Sequence, residues 1–308
     1  MQARMYKRML VPLDGSELAE VALTYAKELA GRLDLDVVLL HVCVQQECDL
    51  APMHRAYVER AAEIVRRESE ELQQRTGVQS GGKALEARAE VAVGHPAEEI
   101  LRYADENDID LILMGTHGRS GVRRWAIGSV ADKVLRASKV PVWLIRAGVP
   151  REIVYDKWPR RTMLVPLDGS ELAEAVLPHV EALAKQRGTE LVDVVLLAIC
   201  EPGVLPPGYP HAEGVIIWDE HVAIVKGAKV EYLKGVEKQL RDAGLNVRSE
   251  VLMGDAANEI VDYANSSPFN LIVMSTHGRS GVSRWVLGNV AEKVLQGVSS
   301  PLLLVRPH

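Results

Sequence analysis

The chain has 308 residues, which at roughly 150 residues per domain points to two domains rather than one. Hydrophobic residues make up 47% and charged residues 25%, close to the soluble globular average, which excludes disordered, collagen-like and fibrous classes. Net charge is −6, with 20 basic against 22 acidic residues to position 150 and 16 against 20 beyond it, so neither half carries the basic excess of a nucleic-acid binder.

The amino terminus, MQARMYKRML, runs straight into VPLDGS without the apolar stretch of a secretory signal. No apolar run reaches the roughly 18 residues needed to cross a bilayer, so a membrane partner is not expected and the cytoplasm is the expected location. Cys43, Cys48 and Cys200 are odd in number and lack CxxC spacing, which argues against both a disulfide framework and a zinc site and for reduced thiols.

The first predicted strand is RMLVPLD, followed by Gly15 and by Ser16, a residue suited to cap a helix running to about Gly31. LDVVLLHV (35–42) is a continuous apolar run of the kind found in strands buried on both faces. A charged helix follows over about 54–75, then KALEARAEVAVG as a strand and AEEILRYADEN as an amphipathic helix. DLILMG (110–115) is a second buried strand; 115–128 is a glycine-rich loop, SVADKVLRAS a helix and VPVWLIR (140–146) the last strand. Five strands alternating with four helices imply a parallel sheet covered on both faces.

The pattern then starts again. MLVPLDGSELAE occurs at 9–20 and, identical at all twelve positions, at 163–174. GTHGRSGVRRWAIGSVADKVL (115–135) and STHGRSGVSRWVLGNVAEKVL (275–295) agree at 15 of 21 positions. Offsets of 154 and 160 residues mean a tandem duplication of one domain, with a period too long for a solenoid. The expected division is a first domain over 1–146, a linker over 147–160 and a second domain over 161–308. Strands of the second copy are expected near 162–167, 191–199, 247–253, 270–275 and 301–306. The copies differ most after their second strands, where CEPGVLPPGYPHAEGVIIWDEH (200–221) holds four prolines and three glycines that argue against any regular element.

Ligands of open α/β sheets sit beyond the carboxyl ends of the strands. Asp14 falls there, as does the loop from Gly115 to Ser129. Glycines at 115 and 118 permit positive φ and close approach of a ligand to backbone N–H groups. Gly128-Ser129 opens a helix, where orphan N–H groups favour a phosphate, and Arg119, Arg123 and Arg124 add positive charge. Neither GxxxxGK[ST] nor GxGxxG occurs, and GRSG lacks the spacing of a nucleophile elbow. On spacing alone, a glycine-rich turn without a ligand remains open.

Gly115-x2-Gly118-x9-Gly128-Ser129 matches the nucleotide-binding signature of the universal stress proteins, and VPLDGS (11–16), LLHV (39–42) and VPV (140–142) resemble that family as well. The resemblance covers both halves. It implies two tandem flavodoxin- or Rossmann-like α/β domains, each an open five-stranded parallel sheet in the order 3-2-1-4-5, and it implies an adenine nucleotide, ATP foremost. Carried over, Pro12, Asp14 and Val42 meet adenine and ribose, while Gly115, Gly118, Arg119, Gly128, Ser129 and Val130 surround the phosphates. Mg2+ rides on the phosphates rather than on protein side chains. The second-copy counterparts are Pro166, Asp168, Ile199, Ser275, Gly278, Arg279, Gly288, Asn289 and Val290. Ser275 stands where the signature has glycine and Asn289 where it has Ser or Thr, so the second site is expected to be the weaker.

His117 and His277 suit a backbone hydrogen bond that holds the loop better than a catalytic role, and Trp125 and Trp285 suit packing. His41, ending a buried strand, reads as a satisfied core or interface histidine. The resemblance implies a nucleotide-dependent regulatory or protective module of the stress response, and since no strong catalytic base emerges any ATPase turnover is expected to be slow. The alternatives are a slow ATP phosphohydrolase and a scaffold acting through protein partners. In the family, closing strands commonly pair, so VPVWLIR and SPLLLVRP (300–307) are expected to join the halves as an intramolecular pseudo-dimer, with a homodimer of chains left open.

Overall fold

The computed structural model describes residues 5–44, 49–77, 84–116, 127–146, 161–201, 211–266, 270–278 and 287–307, with 211–221 described by backbone alone. The linker expected at 147–160 lies outside these residues. In the first half, strands β1 (Arg8–Pro12), β2 (Asp36–Cys43), β3 (Ala87–Val93), β4 (Leu111–Gly115) and β5 (Val142–Ile145) alternate with helices α1 (Glu17–Leu33), α2 (Ala51–Thr76), α3 (Pro96–Glu106) and α4 (Ser129–Ala137). The second half contains β6 (Arg161–Pro166), α5 (Glu171–Glu174), α6 (Leu177–Arg187), β7 (Val192–Cys200), α7 (His211–Asp242), β8 (Asn246–Met253), α8 (Ala256–Ser266), β9 (Leu271–Ser275), α9 (Asn289–Gly297) and β10 (Leu302–Val305).

Each half is parallel in the order 3-2-1-4-5, as the family resemblance implies. The two sheets do not end separately: β5 pairs antiparallel with β10 (Leu144 with Leu302, Trp143 with Leu303, Val142 with Leu304), giving one ten-stranded sheet, β3-β2-β1-β4-β5-β10-β9-β6-β7-β8. Period-two alternation sends Met9, Val11, Leu113, Trp143 and Leu303 to one face and Leu10, Ile112, Leu144, Leu302 and Leu304 to the other. Both apolar layers therefore cross the seam, and covering both edges of β5 and β10 removes an aggregation-prone strand edge. Two arginines secure it reciprocally. Arg146, just after β5, donates to the carbonyls of Gln296 (2.7 Å) and Val298 at the end of α9. Arg306, just after β10, donates to the carbonyls of Arg136 (3.2 Å) and Ser138 (3.5 Å) at the end of α4. Each satisfies orphan carbonyls of the other half's helix terminus.

Two departures from the sequence expectation have local causes. The α1 counterpart in the second copy is broken into α5 and α6, because Pro178 lacks an N–H and constrains the residue before it. Thr24 stands in its place in the unbroken α1. The segment 200–221 is also not irregular throughout: helix starts at His211, directly after Pro210, the last of its four prolines. Of that stretch, 202–210 lies outside the described residues.

Candidate functional site

In both copies a tight turn after the first strand builds the same carboxylate. Gly15 (φ 80°) and Gly169 (φ 90°) occupy the left-handed region that lets the chain fold back. The backbone N–H and hydroxyl of Ser16 then donate to Asp14 Oδ1 (3.0 and 2.6 Å), and those of Ser170 donate to Asp168 Oδ1 (2.9 and 2.6 Å). The same serine oxygens accept from the N–H groups of Ala19 and Ala173 (both 3.1 Å), capping α1 and α5. One residue thus caps a helix and fixes the orientation of an acid at the strand end.

The helices on the other side are capped differently. α4 and α9 begin after Gly128 and Gly288, and among the described residues no side chain caps either one. Their first turns supply N–H groups and the positive end of the helix dipole to the space above β1 and β4, or β6 and β9. The residues that flank the connecting loops are tied by matched bonds: Thr116 N–H to Ile145 O and Thr276 N–H to Val305 O (both 2.9 Å), with Gly128 and Gly288 donating back to the Thr116 and Thr276 carbonyls.

A cleft of about 370 Å³ results in the first copy. It brings together Pro12, Asp14, Val42, Gly115, Gly128, Ser129 and Val130; Gly118 and Arg119 lie outside the described residues. Leu40, Pro96, Ile100 and Met114 add an apolar wall that sequence spacing did not single out. Among the described residues Asp14 is the charged group of this cleft, and Arg123, Arg124, His117 and Trp125 lie outside them. Beside the cleft, Tyr57 donates to Glu20 Oε1 (3.0 Å), and burial together with the nearby Glu20 and Asp14 carboxylates holds its phenol well above the ordinary tyrosine range.

The second cleft, about 460 Å³, unites Pro166, Asp168, Ile199, Ser275, Gly278, Gly288, Asn289 and Val290, with Arg279 outside the described residues. The reason for its glycines is space rather than backbone sign. Neither Gly115 nor Gly278 has positive φ, contrary to the expectation for Gly115. A Cβ on Gly278 would stand 2.5 Å from Asp168 Oδ2, and one on Gly288 would stand 3.2 Å from the Thr276 carbonyl. Ser275 is buried, and its hydroxyl oxygen accepts from the His277 N–H (3.2 Å), so the departure from glycine is absorbed by the loop itself. His277 Nδ1 lies 3.0 Å from Thr276 Oγ1, a side-chain partner in place of the expected backbone one, while its buried Nε2 has no hydrogen-bond partner among the described residues.

Lys229 and Glu201 also line the second cleft, and no motif pointed to either. Lys229 donates to the Asp168 carbonyl, and it reaches the site because α7 begins close behind a segment whose prolines hid it. His41 behaves as a satisfied buried histidine at Nδ1, which lies 2.9 Å from the Leu13 carbonyl.

The universal stress protein family model matches twice, over residues 5–146 and 159–306. A universal stress protein of Methanocaldococcus jannaschii is 32% identical over 146 residues, covering 47% of this chain and 82% of its own. One from Mycolicibacterium smegmatis is 24% identical over 303 residues, covering 97% of both chains. The crystal structure of a universal stress protein from Archaeoglobus fulgidus superposes with a TM-score of 0.65 at 22% identity over 99% of each chain, a likeness of fold. With its signature strand ends, glycine-capped helices and family matches spanning both copies, the chain belongs to the universal stress protein family.

Proposed function

We propose that this protein binds an adenine nucleotide, ATP foremost, in each of its two clefts and acts as a nucleotide-dependent regulatory or protective module of the stress response. The observation that carries this reading is the pairing, in both copies, of an uncapped helix N-terminus with a serine-held aspartate across an apolar floor. The helix end suits phosphate, the carboxylate suits ribose hydroxyls and the apolar wall suits a base.

The residues fit such a ligand on two further counts. The space beside Asp168 exists because Gly278 has no Cβ, and the buried Nε2 of His277 is a polar atom for which a ligand can supply the partner. Mg2+ rides on the phosphates, since Asp14 and Asp168 each commit one oxygen to a serine. Pro12, Val42, Pro166 and Ile199 flank the base, and Ser129, Val130, Asn289 and Val290 present the helix ends. The modules 1–146 and 161–308 act together across the β5–β10 seam, an intramolecular counterpart of a homodimer, in the cytoplasm. Equilibrium dialysis of the purified chain against ATP and Mg2+ tests the reading. Retention of nucleotide that drops in Gly128→Ala supports it, and absence of any adenine nucleotide binding overturns it.

A further inference from the structure

We propose that His41, Cys43 and His54 form a binding site for a borderline-soft transition-metal ion of the zinc type, separate from any cation carried on nucleotide phosphates. His41 and Cys43 are two apart on β2, so period-two alternation puts them on one face of the strand. α2 returns over that face and delivers His54 from its first turn. All three are buried, and one ring nitrogen of each histidine and Cys43 Sγ lie within 4.8 Å of one another.

The protonation pattern suits a metal. The Leu13 carbonyl can only accept, so the neutral His41 carries its hydrogen on Nδ1 and turns the lone pair of Nε2 away from that bond. A backbone carbonyl on the far nitrogen is the usual support of a metal-bound imidazole. The Nε2 of His54, a side chain more than nine-tenths buried, has no hydrogen-bond partner among the described residues. Leaving such an atom unpaired in an apolar core is unfavourable, and a ligand supplies what the core does not.

Two imidazoles and a thiol select zinc, cobalt or copper over magnesium or calcium, which take oxygen ligands. Metal–nitrogen bonds near 2.0 Å and metal–sulfur bonds near 2.3 Å require donors roughly 3.3–3.8 Å apart. The rings are now stacked, with centroids 4.1 Å apart and planes 15° from parallel, and lone pairs in parallel planes do not converge on one ion. Binding therefore turns His54 out of the stack while the Leu13 carbonyl keeps His41 in place, and Cys43 gives up its thiol proton to solvent. Three protein donors leave a fourth position for water, and His41 also lines the first cleft, which gives the ion a route in. The second copy has Ala198 in place of His41 beside Cys200, and among the described residues this cluster occurs once.

The test is titration of the full-length chain, reduced, EDTA-treated and free of nucleotide, with Co2+. Uptake of a single ion with a thiolate-to-cobalt absorption band in the near ultraviolet, displaced by Zn2+ but not by Mg2+ and lost in Cys43→Ser, is the expected result. His54→Gln weakens cobalt binding while its circular dichroism matches the parent. No such band at stoichiometric cobalt overturns the proposal, and so does a band that survives Cys43→Ser, which would assign it to another cysteine. Where Cys43→Ser does not fold, His54→Gln decides, and unchanged cobalt affinity there is contradictory.

Discussion

At the scale of single residues, the site rests on a few atoms doing two jobs. Ser170 caps α5 and also holds Asp168, so Ser170→Ala is expected to cost about 1 kcal/mol of stability for the lost cap and to weaken nucleotide binding in the second cleft. Chemical denaturation and calorimetric titration of the same variant separate the two effects. Gly278→Ala acts through space alone: its methyl group meets Asp168 Oδ2, which cannot yield easily while Ser170 holds Oδ1. It is expected to weaken binding to the second cleft about tenfold or more, roughly 1.4 kcal/mol or above, and to leave the first cleft unchanged. An affinity equal to the parent's would show that the carboxylate does not face the ligand. Asp14, Gly128 and Ser129 were legible because each needs a particular residue type at a strand end or helix start, whereas Leu40, Ile100 and Met114 are ordinary core residues that become a cleft wall only through the sheet's geometry.

At the scale of elements, the strand and helix order was legible because duplication printed the pattern twice and the apolar runs on both faces of β2, β4, β7 and β9 are unambiguous. What was not legible were effects of neighbouring context. A single proline splits the second-copy helix, and four prolines ahead of α7 conceal a helix that begins directly after the last of them. His54 is the same case: it looks unremarkable in a charged helix, and only the packing of α2 on β2 brings it to His41 and Cys43. The seam between halves depends on the arginines after the closing strands. Burial holds the Arg146 guanidinium below the ordinary arginine range, yet it spans two helix-end carbonyls. Arg146→Ala and Arg306→Ala are each expected to destabilise the chain by about 1.5–3 kcal/mol, the worth of hydrogen bonds to a charged group, in denaturant melts. A loss below that range in both would reduce the arginines to surface decoration.

At the scale of the molecule, the two halves also meet through a buried ion cluster. Glu28 of α1 takes Arg161 at 2.9 Å, Arg32 at 3.0 Å and Arg187 at 3.5 Å, alongside a hydrogen bond between Tyr6 and His179 (2.7 Å). Burial outweighs the pull of these arginines and pushes the Glu28 carboxyl up to about 7. A carboxyl that holds its proton more tightly in the folded chain contributes stability at low pH and loses it as pH rises through the folded value. Denaturant midpoints are therefore expected to fall between about pH 4.5 and 7 by an amount that Glu28→Gln removes; equal slopes in both proteins would contradict this. The ion cluster and the ten-stranded sheet join the two halves that carry the clefts. The most direct test of the account is the number of adenine nucleotides bound per chain, measured by calorimetric titration with ATP and Mg2+. The account predicts two sites of unequal affinity, the first-copy site lost in Gly128→Ala and the second weakened in Gly278→Ala; a chain that binds none, or whose binding neither substitution alters, contradicts it.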